Sequence, residues 1–252
     1  MSYNRQTIAS DLRCIGVEAG DTVFVHSSYR SIGIVDDGAG AVIGAFEDVL
    51  GDDGLLMMPS FNLAAKGNEA RAAVWDVEKC PATTGWLTEF FRKMPGTYRS
   101  NHYSHAVAAR GKGAEEVVAG HLENEGLISP WDYPPWGRTY GTHSPMYKAY
   151  RCGRGKVLML GVDYKSSTYC HVVEVMFWGW RRKFDPDAGY EYIRRGAAGE
   201  FWDSVGRLTQ GKVGDAWCRL FSISDFVETL LAEVKRDPDR FLFSQIELPR
   251  QG

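Results

Sequence analysis

The sequence predicts an α/β fold in one domain over residues 1–252, with a mixed central sheet flanked by helices. Two observations carry this. Short apolar runs rich in β-branched and aromatic residues, at Thr22 to Val25, Leu55 to Pro59 and Lys156 to Val162, read as buried strands. Between and after them lie segments with apolar residues at helical spacing, joined by Gly/Asp turns too short for a separate domain.

The elements follow in order. Residues 5–17 read as a helix, with Ile8, Leu12 and Ile15 on one face. Gly20-Asp21 turns the chain into the 22–25 strand, and His26 to Asp37 reads as a loop. Residues 39–50 form a helix, Gly51 to Gly54 a turn and Leu55 to Pro59 a strand. This order predicts a βαβ unit with a parallel pair. Thr84 to Lys93 reads as helix, Val107 to Ala109 as strand and Ala114 to His121 as helix. Residues 124–143 are rich in Pro, Gly and aromatics and read as a long loop, a place where function concentrates. Ser144 to Tyr150 reads as a short helix, and a helix from Ser167 or Thr168 to Trp180 follows the 156–162 strand. Residues 199–212 give no clear pattern. Ile223 to Lys235 closes the fold as an amphipathic helix.

Composition narrows the class. With 44% hydrophobic and 24% charged residues and 8 Trp, the chain can build a sizeable core. A net charge of -3 lacks the basic footprint of a nucleic-acid binder. No apolar run is long enough to cross a membrane, and Met1 to Arg13 lacks an apolar signal core. Five cysteines without a CxxC fit a reducing compartment, so a cytoplasmic protein is expected.

The chemistry concentrates after the 156–162 strand, in Asp163-Tyr164-Lys165-Ser166-Ser167-Thr168-Tyr169-Cys170-His171-Val172-Val173-Glu174. His171 falls in the first turn of the helix and Glu174 three residues on, on the same face. The carboxylate can orient the imidazole and leave the other ring nitrogen free to take a proton. The pair sits at the carboxyl end of a strand, where open α/β sheets place ligands. By spacing alone, His-x-x-Glu is more often a surface pair. Neighbours on a helix point about 100° apart, so Cys170 reads as structural beside His171. No histidine or cysteine shows zinc-site spacing, and no metal is expected. The loop His26-Ser27-Ser28-Tyr29-Arg30-Ser31-Ile32-Gly33 offers hydroxyls, amides and a guanidinium before a helix N-terminus, a weak phosphate-site signal without GxxxxGK[ST] or GxGxxG.

Four blocks in order resemble the aminoglycoside 3-N-acetyltransferase (antibiotic N-acetyltransferase) family, over residues 5 to 232. They are Val25 to Gly33 with Leu55 to Asn62; Thr84 to Gly96 running into Arg99-Ser100-Asn101-His102 and Ser104 to Ala109; Gly141-Thr142-His143-Ser144-Pro145-Met146; and Gly155 to Val162 ending in Thr168 and His171-x-x-Glu174. The resemblance implies the antibiotic N-acetyltransferase fold rather than the GNAT fold, acetyl-CoA as acyl donor, and a small-molecule amine as acceptor, with antibiotic resistance as the associated role. It places the catalytic pair on His171 and Glu174; the oxyanion then needs a donor, which a backbone N–H or the Thr168 hydroxyl near the helix start can supply. It places the coenzyme along His26, Ser27, Ser28, Tyr29, Arg30 and Ser31. Arg99, His102 and His105 align with a signature near the active site, and Asp132 is a nearby carboxylate for a cationic substrate.

The sequence departs from the family's pattern twice. Tyr103 stands where the family usually has Pro, and the loop Pro130 to Arg138 is aromatic rather than Gly- and acid-rich. The second departure leaves open an amino-sugar or nucleotide-sugar N-acyltransferase in biosynthesis. A non-catalytic coenzyme-binding protein is a third reading, against which the intact His171–Glu174 pair argues. A His/Glu hydrolase lacks its GxSxG elbow. A homodimer is compatible with the sequence, and Phe177, Trp178 and Trp180 read as core or interface.

Overall fold

Alternation along the central strands explains the architecture. Phe24, Met57, Val157 and Met159 belong to one apolar cluster, whereas Val23, Val25, Leu56, Met58, Leu158 and Leu160 belong to another. Strands buried on both faces read as continuous apolar runs, which is why these three were legible. The computed structural model describes residues 2–244.

The elements are β1 (Ser2–Tyr3), α1 (Arg5–Cys14), β2 (Thr22–Ser27), β3 (Ile34–Val35), α2 (Gly38–Leu50), β4 (Leu55–Pro59) and α3 (Asn68–Val74). Then come α4 (Trp86–Arg92), β5 (Tyr98–Arg99), β6 (Val107–Gly111), α5 (Ala114–Val118), α6 (Pro145–Arg151), β7 (Gly155–Leu160) and α7 (Tyr169–Arg181). The chain continues through β8 (Tyr192–Ile193), α8 (Arg195–Val205), β9 (Thr209–Val213), β10 (Ala216–Ser222), α9 (Ile223–Arg236), α10 (Pro238–Phe241) and β11 (Leu242–Phe243).

Seven strands form one mixed sheet in the order β5-β6-β4-β2-β7-β10-β9. Its centre, β4-β2-β7, is parallel. Both wings are antiparallel. The expected βαβ unit is therefore β2-α2-β4. Helices α1, α2 and α4 cover one face, and α5, α6, α7 and α9 the other.

Several boundaries move. Residues His26 and Ser27, read as loop, continue β2, because they pair with Met159 and Leu160 of β7. The 5–17 helix stops at Cys14, and the helix from Ala114 stops at Val118. The unclear stretch 199–212 is the end of α8 and the start of the edge strand β9, whose mostly exposed Thr-Gln-Gly-Lys-Val carries almost no apolar signal. Residues 119–144 hold only short turns and one bridge, Gly126 to Gly141, so the long loop is present as expected.

Candidate active site

The carboxyl ends of β2, β4 and β7 and the N-terminus of α7 meet around a cavity of about 490 Å³. Ser27 lines it from the end of β2, Pro59 from the end of β4 and Phe61 from just beyond it, and Lys165 to Thr168 from the turn after β7. His171 comes from the first turn of α7, and His105, Trp131, Tyr192 and Arg195 complete the lining. At the end of β7, Gly161 has φ +67, and a Cβ there would stand 2.5 Å from Ser31 Cβ, so only glycine lets the donor-side turn pack against this strand end.

His171 and Glu174 form a committed pair. Nδ1 lies 2.6 Å from Glu174 Oε2, with the carboxylate fully buried and the imidazole about one-fifth exposed. The same carboxylate accepts from the Tyr190 hydroxyl at 2.9 Å and from the Ile193 N–H at 2.8 Å. Such a satisfied carboxylate stays ionised: burial pushes its pKa up, but His171, Arg195 and the Ile193 N–H hold it below its ordinary value. Nδ1 therefore keeps its proton toward Glu174, which leaves Nε2 as the basic nitrogen. Burial lowers the His171 pKa, Glu174 opposes and Arg195 reinforces, with a net fall below 6.5. The imidazole is thus neutral near pH 7.

Arg195 is the residue that sequence reasoning missed. Its Nη2 stands 3.1 Å from both His171 ring nitrogens and 3.5 Å from Glu174 Oε1, and Nη1 donates to the Ser167 carbonyl at 2.5 Å. No motif marks it. Its place depends on β8, which pairs with the distant β11 and carries the chain back under α7.

Thr168 is the N-cap of α7, as expected, but its side chain does not cap the helix. Its N–H and hydroxyl both lie 3.3 Å from His26 Nε2. Burial and Arg195 bring the His26 pKa down to about 3, so the ring is a neutral acceptor. Of the other donor-loop residues, Ser27 lines the cavity, whereas Ser28, Tyr29, Arg30 and Ser31 are not among its lining and build a short 3-10 turn next to it in sequence. There Ser31 donates to Ser28 at 2.8 Å, and Tyr29 packs on Trp86 at 4.8 Å. Among the described residues, the hydroxyls of Ser27 and Ser167 are buried at the cavity without a hydrogen-bond partner, which suits a polar ligand.

Three expected substrate residues lie outside the lining. Arg99 donates to the carbonyls of Ser60, Val77 and Cys80 and stacks over Trp75 at 4.5 Å, binding three chain segments together. His102 is fully buried, stacked on His121 at 4.5 Å, and its Nδ1 accepts from the Ser104 N–H. Asp132 accepts from Ser129 N and Oγ, Thr139 N and Arg138, pinning the 119–144 loop. That loop delivers Trp131, whose ring lies 4.7 Å from that of His171. Burial pushes the Cys170 thiol up, so it is a poor nucleophile despite its position. Among the described residues, Glu123, Glu125 and His143 bring possible ligand atoms within 4.8 Å of one another, but they are surface groups outside the cavity lining.

The arrangement offers a neutral base, polar hydroxyls and three cations, Arg71, Lys165 and Arg195, around one cavity. A family model described as aminoglycoside 3-N-acetyltransferase matches residues 24–189. The chain is 32% identical over 259 residues to the SPbeta prophage-derived aminoglycoside N(3')-acetyltransferase-like protein YokD of Bacillus subtilis (strain 168), covering 89% of each. It is 29% identical to aminoglycoside N(3)-acetyltransferase IV of Salmonella sp, over 95% of this chain and 90% of that protein. The crystal structure of the aminoglycoside acetyltransferase AAC(3)-IVa apoenzyme superposes with a TM-score of 0.77 at 26% identity, covering 97% of this chain and 93% of the other. Among the described residues, no helix is long and apolar enough to cross a membrane.

Proposed function

The chain belongs to the aminoglycoside 3-N-acetyltransferase family, a family of acyltransferases, and from that premise we propose that it moves acetyl from acetyl-CoA to an amino group of an aminoglycoside or related amino sugar. The observation that carries the reading is the His171 Nδ1–Glu174 contact of 2.6 Å at the cavity wall. The amine lone pair attacks the thioester carbonyl carbon, forming C–N. His171 Nε2 takes the amine proton, the C–S bond breaks, and the sulfur leaves with a proton returned from the imidazolium. Such base assistance is worth about 10²–10⁴-fold in rate. No acyl-enzyme is needed, in keeping with the raised Cys170 thiol.

The donor's phosphates and pantetheine run along His26 to Ser31, with Ser27, Ser167 and the α7 N-terminus offering donors. Thr168 supplies an oxyanion donor, and Arg99, His102 and Asp132 serve the substrate through the walls they hold in place. Free-thiol release from acetyl-CoA with an aminoglycoside panel tests the reading. A folded His171→Ala variant with wild-type turnover would refute the base.

One observation favours a second acceptor class. The lining contains Arg71, Lys165 and Arg195 and no carboxylate among the described residues, which suits an amino sugar that carries phosphate, such as a nucleotide-linked one. Running a nucleotide-linked amino sugar beside the aminoglycosides decides between the two.

A further inference from the structure

His105 is a second imidazole on the same cavity, and the reaction above gives it no task. It is 6% exposed and lines the wall. Its ring centroid lies 5.5 Å from that of His171, and Phe61, Trp131 and Tyr140 enclose it at 5.0, 4.9 and 5.2 Å. A ring held on so many sides cannot wander, so whatever its free nitrogen presents to the cavity is fixed in direction.

The tautomer follows from its partner. His105 Nδ1 is 2.8 Å from Ser104 Oγ, and among the described residues this is the one hydrogen-bond partner of that hydroxyl. If Nδ1 carried the proton, the hydroxyl proton would be buried without an acceptor. If the hydroxyl donates to Nδ1, both groups are satisfied and the ring proton sits on Nε2. The Ser104-His105 backbone is itself held, because His102 Nδ1 accepts from the Ser104 N–H at 3.2 Å. His102 is locked in turn by stacking on His121. Burial, His171, His102 and His121 keep the His105 ring neutral.

The two imidazoles therefore face the cavity with opposite polarity. His171, with its Nδ1 proton given to Glu174, offers a lone pair. His105, with its Nδ1 filled by Ser104, offers an N–H. We propose that His105 is a catalytic residue whose Nε2–H donates to the thioester oxygen as it becomes an oxyanion, beside the donor supplied near Thr168. A neutral donor has a particular merit here: it stabilises the developing charge without protonating the attacking amine or opposing the positive charge that His171 takes up. The inference rests on the acetyl-transfer reading above.

The test compares wild-type, His105→Ala, His105→Gln and Ser104→Ala enzymes, each checked for fold by circular dichroism, with kcat and the KM for acetyl-CoA measured separately. Removing an oxyanion donor is expected to lower kcat by about 10²–10³-fold while the KM stays within about 3-fold. Glutamine, whose amide can place N–H where Nε2–H stood, is expected to recover at least about 10-fold of that loss, and Ser104→Ala to lose about 10-fold through the freed tautomer. A His105→Ala kcat within about 3-fold of wild type overturns the proposal, as does a loss confined to KM, or a folded Gln variant no better than Ala. Should His105→Ala not fold, the Gln and Ser104 variants carry the test alone. Absence of turnover by the wild-type enzyme sinks the acetyl-transfer reading instead, so the two failures are distinct.

Discussion

Arg195 Nη2 stands 3.1 Å from each ring nitrogen of His171 and 3.5 Å from Glu174 Oε1, so a permanent cation touches both members of the proposed catalytic pair. Equidistant from the two nitrogens, Nη2 lies in line with neither, so with Nδ1–H directed at Glu174 the lone pair of Nε2 stays open to the cavity. The guanidinium thus guards the base and disfavours its protonation, while its bond to the Ser167 carbonyl ties it to the start of α7. Replacing Arg195 with Ala removes a contribution that lowers the His171 pKa. The acidic limb of the kcat/KM profile is then expected to move to higher pH. A pH profile that superposes on wild type would show that the contact has no electrostatic effect on the base.

Glu174→Gln has the opposite sign. The amide oxygen still accepts from Nδ1–H, so the ring keeps its orientation, but the neutral group no longer stabilises the imidazolium. The His171 pKa falls further, the acidic limb moves to lower pH, and kcat drops by about 10²-fold, part of the total that base catalysis supplies. Tm drops as well, because Arg195 loses its buried counter-charge. Steady-state kinetics across pH on both variants checks the pair together: shifts in the same direction would contradict the assignment of roles.

The unequal legibility of this site has a physical cause. His171 and Glu174 are three apart on one helix after a two-sided apolar strand, and local periodicity is enough to bring them together. Arg195 reaches them only because Ile193 donates to Glu174 and Phe243 pairs with Tyr192, contacts that span the chain and leave no local pattern. The edge strand β9 was obscured because one face of it meets water and its residues are polar. Arg99 and His102 fell within a block shared with the family and Asp132 in the loop that departs from it, yet all three side chains turn into the scaffold. Sequence position could not distinguish a residue that faces the cavity from one that holds its wall.

Acid is expected to unfold this protein early. His26, His102, His105 and His121 are buried, and burial holds His26 at about 3, His121 at about 4 and the other two well below 6.5. The unfolded chain binds these protons near pH 6.5 and the folded chain does not. The stability they contribute is therefore complete above pH 6.5 and is lost as pH falls toward the folded values. Each group costs about 1.4 kcal/mol per pH unit in that window. Four together cost roughly 5 kcal/mol per unit, against a typical total of about 5–15 kcal/mol. Urea melts at pH 7, 6 and 5 are expected to show a steep fall, flattened in a His121→Gln variant. A pH-independent midpoint over that range would mean that these rings titrate in the folded state.

Asp132 separates a scaffold role from a substrate role. Its carboxylate takes four hydrogen bonds from its own loop, and the neighbouring Trp131 packs on His171 and His105. Asp132→Ala strands the Ser129 and Thr139 N–H groups and frees Arg138. It is expected to lower stability by about 2–4 kcal/mol, the cost of losing hydrogen bonds to a charged acceptor and leaving donors unmet. Because Trp131 loses its anchor, kcat should fall with it, whereas Asp132→Asn, which keeps one acceptor oxygen, should be milder in both respects. Thermal melts and kinetics on the two variants settle the matter. If Asp132 met the acceptor amine directly, Asp132→Asn would raise the acceptor KM at an unchanged Tm. If it acts through the wall it holds, the loss of activity must follow the loss of stability.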